Sequence, residues 1–180
     1  SCLAPATRGR LEGKVAFVTG AGGNIGADIT RRYLEEGASV VMVGRDMKKL
    51  EATCARLLQE TGAAAGRAIT LPMDGADPLQ VHAAIAAAVA AYGRLDIIVN
   101  NAGSSGPKQR LEDMPITDAD LKAQHDQGSP SGILDNESAL GAARNLLGMA
   151  WTVTRTALPH LERSHAHREA TGFWEDREGA

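Results

Sequence analysis

The sequence has little from which to build a secreted, membrane-spanning or nucleic-acid-binding protein. Its 180 residues include only two cysteines, which excludes a disulfide framework. Cys2 stands in an N-terminal tail, and Cys54 falls on the apolar face of a helix with no positive neighbour to lower its pKa. The longest apolar stretch, Ala83 to Ala91, is alanine-rich and far short of the ~20 residues that cross a bilayer. Neither sign of charge dominates: 19 Lys and Arg against 22 Asp and Glu give a formal charge of −3. That leaves no basic surplus for nucleic acid. Ser1 to Lys14 hold no apolar signal-peptide core, so cytoplasmic residence is the expectation. With 43% hydrophobic residues, the chain suits one domain with a true core.

What is present centres on Lys14 to Arg45. Val15 to Val18 form a continuous apolar run, as a parallel strand covered on both faces requires. Thr19-Gly20-Ala21-Gly22-Gly23-Asn24-Ile25-Gly26 follows at once, a turn that brings backbone N–H groups at a helix start against an anion. A dinucleotide pyrophosphate is the usual guest of such a turn. The helix places Ile25, Ile29, Tyr33 and Leu34 on one side and ends at Gly37. A second strand, Val40 to Val43, runs into Gly44-Arg45-Asp46. An arginine here accommodates a 2′-phosphate and a carboxylate a free 2′-hydroxyl. Arg45 comes first and favours NADP, while Asp46 keeps NAD open and also suits the N-cap of the next helix.

That helix carries Met47, Leu50, Cys54, Leu57 and Leu58 to Gly62. Ala68 to Met73 read as a third strand ending in Asp74-Gly75. Asp77-Pro78 supply an N-cap and a first-turn proline for a helix from Leu79 to Tyr92, closed by Gly93. Leu95 to Val99 make a fourth strand, followed by Asn100-Asn101-Ala102-Gly103. This alternation predicts an α/β fold: a Rossmann-type parallel sheet with helices on both faces, the first part of a doubly wound arrangement. Residues 104–136 are polar, a loop or lid with one short helical candidate, Thr117 to Gln124. Lys108 and Arg110 within it are a solvated basic patch or contacts for an anionic substrate. Helix returns from Ser138 to Leu161, with Leu140, Leu147, Trp151, Thr154 and Leu158 at helical spacing and Pro159 near its end. The expected organisation is a tail at 1–13, an incomplete dinucleotide-binding domain at 14–161, and a polar, disordered tail at 162–180. His82 has no second ligand at helical spacing, and His160, His165 and His167 match no metal-ligand pattern, so no metal is expected.

Thr19-Gly20 with Gly26, Asp74 after the third strand and Asn100-Asn101-Ala102-Gly103 after the fourth together resemble the short-chain dehydrogenase/reductase family. The family's glycine turn is T-G-x-x-x-G-x-G, and Asn24 stands at its middle glycine, with Gly22 and Gly23 beside it. The resemblance implies that Gly20 and Gly26 face the cofactor phosphates, with Thr19, Gly22, Gly23, Asn24 and Ile25 forming the rest of the turn. It implies that Arg45 meets the 2′-phosphate, and that Asp74, beside Gly75, meets the adenine amino group. Asn101, Ala102 and Gly103 would line the adenosine side of the cleft, and Asn145 matches the family's catalytic asparagine. TGAGGNIG, MDGADP, NNAGSSGPKQRLEDMPITDADL and NLLGMAW are similar to one subgroup, the N-terminal reductase half of bifunctional malonyl-CoA reductases. That likeness implies NADPH-dependent reduction of malonate semialdehyde, a small carbonyl substrate, to 3-hydroxypropionate. The alternatives are a 3-oxoacyl or polyol dehydrogenase, and an inactive module that binds nucleotide or a partner.

One departure stands out. Family members carry a serine after a fifth strand and then Tyr-x-x-x-Lys, the proton-passing pair. Here the only tyrosines, Tyr33 and Tyr92, are followed four residues on by Gly37 and Asp96. A segment of a longer reductase, inactive alone, is therefore expected, as is a homo-oligomer or association with the remainder of a longer chain.

Overall fold

The computed structural model describes residues 9–103 and 139–170. The chain divides into two compact units, Ser1–Ala102 with Thr152–Ala180, and Gly103–Trp151. In the first, β1 (Val15–Thr19), α1 (Asn24–Glu35), β2 (Ser39–Gly44), α2 (Met47–Thr61), a single 3₁₀ turn at Ala65–Arg67, β3 (Ala68–Pro72), α3 (Pro78–Tyr92) and β4 (Ile97–Val99) alternate along the chain. The last helix, α4, spans Ala139–Ala170.

The four strands form one sheet in the order β3-β2-β1-β4, with every pair parallel. From β1 the chain steps outward to β2 and β3, then returns across the sheet to β4. Right-handed crossovers therefore put α1 and α2 on one face and α3 on the other. This is why the two central strands need no polar alternation: β1 is buried at all five positions, and so are Val40 to Val43 in β2. Val18, Val40 and Met42 pack with Leu34, Leu50, Cys54 and Leu57 from the first two helices. Phe17, Val41 and Val43 alternate to the opposite face, and α3 buries Val81, Ala84, Ile85 and Ala88.

The helix ends follow the local signals. Gly62 and Gly93 close α2 and α3 at φ +67° and +73°. Asp46 accepts from the Lys49 N–H at 3.0 Å at the start of α2, and Asp77 accepts from Leu79 N–H at 2.9 Å at the start of α3. Gly37, at φ +86°, follows α1 and donates its N–H to Leu34 O at 3.0 Å. The Arg67 guanidinium also donates to the Gly37 carbonyl.

Two expectations are corrected. Ile25 is 71% exposed and lies off the core face of α1, whose buried residues are Gly26, Ala27, Thr30 and Leu34. α4 does not stop at Leu161 but continues through Pro159 to Ala170. Among its described side chains Val153, Ala157 and Ser164 are buried, and Leu147, Trp151 and Leu158 are exposed. Small side chains let the helix approach, and Ser164 Oγ accepts from the Leu95 N–H at 3.3 Å. A smaller difference concerns β4, which begins at Ile97 rather than Leu95. Residues 104–136, with Lys108, Arg110 and the helical candidate at Thr117 to Gln124, lie outside the described residues.

Candidate functional site

The chain leaves β1 for one side of the sheet, while β4 lies on the other. The carboxyl ends of these neighbours mark the topological switch point, where open parallel sheets form a crevice. Two loops meet there, and Thr19 joins them. Its buried hydroxyl donates to Val99 O at 3.2 Å and accepts from the N–H groups of Asn101 and Ala102 at 3.0 and 2.9 Å. Asn101 returns the contact, donating from Nδ2 to the carbonyls of Thr19 and Gly20 at 3.0 and 3.3 Å.

This closeness explains two glycines. Gly20 has φ +65°, and a Cβ there would lie 2.9 Å from Ala102 Cα. A Cβ on Gly26 would overlap the Gly20 carbonyl oxygen and lie 2.7 Å from Asn101 Nδ2. Gly22 and Gly23 are under no such constraint: a Cβ would meet Leu50 Cδ1 at 3.5 Å and Gly20 O at 3.4 Å. At the mouth of the turn, α1 begins with no side-chain cap and no acidic residue in its first turn. The first N–H groups of a helix have no intrahelical acceptor, and those of Asn24, Ile25 and Gly26 occupy that position. Such a cradle fits a pyrophosphate: the donors are backbone, the helix dipole favours negative charge, and no acidic residue stands in the first turn of α1. Asn24 and Ile25, both exposed, stand at this rim.

Beyond β2, Arg45 and Asp46 are exposed, and Asp46 Oδ1 caps α2. After β3, Asp74 and the buried Gly75 form the turn into α3. Asp74 Oδ1 accepts from Ala76 N–H at 3.0 Å, and its own N–H donates to Gln80 Oε1 at 2.9 Å. Gln80 was not anticipated as a site residue. The spacing Asp77-Pro78-Leu79-Gln80 is that of a capping box and carries the signal. Leu50 was likewise missed; it lies under both Gly22 and Gly44. So was Thr154, whose hydroxyl accepts from Asn100 Nδ2 at 3.0 Å.

Thr19, Gly20, Gly26, Asn101 and Ala102 are thus brought together. Gly103 is exposed and belongs to the second unit. Asn145 is on α4 in that same unit, and its side chain lies outside the described residues. Away from this end, Cys54 is buried, and burial pushes its thiol pKa up. His160 Nδ1 lies 2.7 Å from Arg163 Nη2; burial, then Arg163, lowers the imidazole pKa.

The family model for short chain dehydrogenase matches residues 14–127. The chain belongs to the short chain dehydrogenase family. Among solved relatives, the N-domain of a bacterial malonyl-CoA reductase with NADP is 48% identical, with a TM-score of 0.68, over 85% of this chain and 27% of that one. A metagenomic short-chain oxidoreductase in complex with NADP is 27% identical, with a TM-score of 0.63, over 86% of this chain and 59% of that one. D-threitol dehydrogenase of Mycolicibacterium smegmatis is 45% identical over 94 residues, 52% of this chain and 35% of its own length. This short chain dehydrogenase therefore spans about a third of that relative. No described helix is long and apolar enough to cross a membrane.

Proposed function

We propose that the chain is the nucleotide-binding portion of an NADPH-dependent reductase of small carbonyl compounds, with malonate semialdehyde reduced to 3-hydroxypropionate as the favoured reaction. The observation that carries this reading is the cradle between β1 and β4, together with an exposed Arg45 at the end of β2, beside an Asp46 whose Oδ1 caps α2. Likeness to the NADP-bound malonyl-CoA reductase N-domain supports the same cofactor and substrate. The N–H groups at the start of α1 bind the pyrophosphate, and Arg45 pairs with the 2′-phosphate. Asp74 accepts from the adenine amino group. Asn101 holds the turn in shape, and Ala102 and Gly103 line the adenosine side. The bound nicotinamide supplies the hydride.

The developing alkoxide also needs a proton donor, and neither tyrosine serves. The Tyr92 hydroxyl donates to Gly66 O at 3.0 Å, and Tyr33 packs against the α1–α2 core cluster. Catalysis thus depends on residues beyond this portion, from the remainder of a longer chain or a partner subunit, with Asn145 contributing from α4. The test is calorimetric titration with NADPH and NADH, of the chain and of Arg45→Ala, alongside a semialdehyde turnover assay. The expected result is NADPH binding weakened at least tenfold by Arg45→Ala, the order of one lost charge-assisted contact, with NADH unaffected and no turnover. Equal loss of both nucleotides, or turnover by the isolated chain, contradicts it. Similarity to D-threitol dehydrogenase favours a polyol substrate as the second reading. NADPH oxidation by a longer protein containing this chain, offered the semialdehyde or a ketose, separates the two.

A further inference from the structure

The turn between β3 and α3 contains more hydrogen bonds than its helix start requires. Asp77 caps α3 through Oδ1, which accepts from the N–H groups of Leu79 and Gln80 at 2.9 and 3.4 Å. In a capping box the residue at the Gln80 position would return its side chain to the Asp77 N–H. That N–H instead donates to Asp74 O at 3.1 Å, and the Gln80 side chain reaches three residues further back. Its Oε1 accepts from the Asp74 N–H at 2.9 Å, while its Nε2 donates to Asp77 Oδ2 at 2.9 Å. One amide side chain therefore bridges the cap and the backbone of the residue before the turn. Asp74 is held at a third point, where Oδ1 accepts from Ala76 N–H at 3.0 Å. Its Oδ2 accepts no hydrogen bond among the described residues.

The geometry points to Gln80 as a positioning residue for adenine recognition, fixing Asp74 so that its carboxylate presents one oxygen to an exocyclic amino donor. The inference rests on the cofactor reading above. An ionised carboxylate accepts from a 6-amino group and is repelled by a 6-oxo group, so the site discriminates adenine from hypoxanthine. A hydrogen bond to a charged group corresponds to roughly a tenfold or greater difference in affinity, provided the carboxylate is held in place before the ligand arrives. Without Gln80, Asp74 loses the bond that anchors its N–H, its backbone keeps only the Asp77 N–H on the carbonyl, and the discrimination falls.

The experiment measures dissociation constants of NADPH and of its hypoxanthine (deamino) analogue for the 180-residue chain and for Gln80→Met. Methionine matches glutamine in length and helix propensity, and Gln80 is exposed, so a wild-type circular-dichroism spectrum with a cooperative melt verifies the fold. The wild-type chain is expected to prefer NADPH about tenfold or more. Gln80→Met is expected to weaken NADPH roughly three- to tenfold, with the deamino analogue unchanged, so that the preference collapses. A merely structural role would weaken both nucleotides alike and leave their ratio intact; that result, or no change in either, overturns the inference. A wild-type chain that binds NADPH without preferring it over the analogue overturns the inference while the cofactor reading stands. A wild-type chain that binds neither overturns both.

Discussion

Thr19 carries more of the site than any other single side chain. It is fully buried, and its hydroxyl serves both N–H groups of the Asn101-Ala102 bend while donating to Val99 O. Thr19→Val keeps the shape and removes every polar contact of the hydroxyl, leaving the part-buried Ala102 N–H without an acceptor among the described residues, while the Asn101 N–H keeps the Val99 carbonyl at 3.0 Å. The expected cost is about 1 to 3 kcal/mol, that of one orphaned group. Urea denaturation would measure it, with Thr19→Ser close to wild type; a loss below about 0.5 kcal/mol would mean that water replaces the hydroxyl. At this scale the sequence was legible where a residue type answers one constraint. Gly20 must adopt a positive φ, and Gly26 leaves no room for a Cβ. Ile25 was misjudged because apolar spacing alone cannot tell a core position from the open rim of a turn, where the first helical residues face outward. Gln80 was missed for a related reason, since glutamine is usual on an exposed helix face and only its partners distinguish it.

The elements follow their punctuation closely. Each of the first three helices starts and stops beside the Gly, Asp and Pro signals in the sequence, because these residues satisfy or forgo the backbone groups that a helix end leaves free. One such cap should be visible in acid. The Gln80 side chain first, then the Leu79 N–H, hold the Asp77 carboxyl pKa below its ordinary 3.8. A folded value below the unfolded one adds stability above the unfolded value, lost as pH falls through the folded value. Asp77→Asn keeps a capping side chain but removes the titration. The stability gap between wild type and variant should therefore narrow or reverse from about pH 6 to about pH 2.5; a gap independent of pH would contradict the assignment. α4 was the least legible element. Proline usually ends a helix, which made Leu161 a natural stopping point. Val153, Ala157 and Ser164 are small, and their burial depends on the surface they approach, which periodicity does not report. With Pro159 inside the helix, one backbone bond is missing, and Pro159→Ala should raise stability by about 1 to 3 kcal/mol. A fall in the melting temperature would instead show that the proline is needed in place.

For the molecule as a whole, alternating apolar runs were enough to predict a parallel sheet, since only burial on both faces accounts for strands without polar positions. Strand order was open to topology rules. The register was not, because it depends on which backbone groups meet. The order that results, β3-β2-β1-β4, has a kinetic consequence. β2 and β3 join the sheet as successive neighbours in the chain, whereas the Asn101 and Ala102 contacts to Thr19 close loops of 82 and 83 residues. Long-range closure pays its entropy before its contacts repay it, so β4 should dock last. We therefore predict that, in refolding from denaturant, NADPH binding lags the helical circular-dichroism signal, and that Thr19→Val lengthens the lag. Coincident phases would exclude this order. The nascent chain would then hold most of its secondary structure before it could recognise a nucleotide, with α1 already formed and its anion cradle still lacking the far wall.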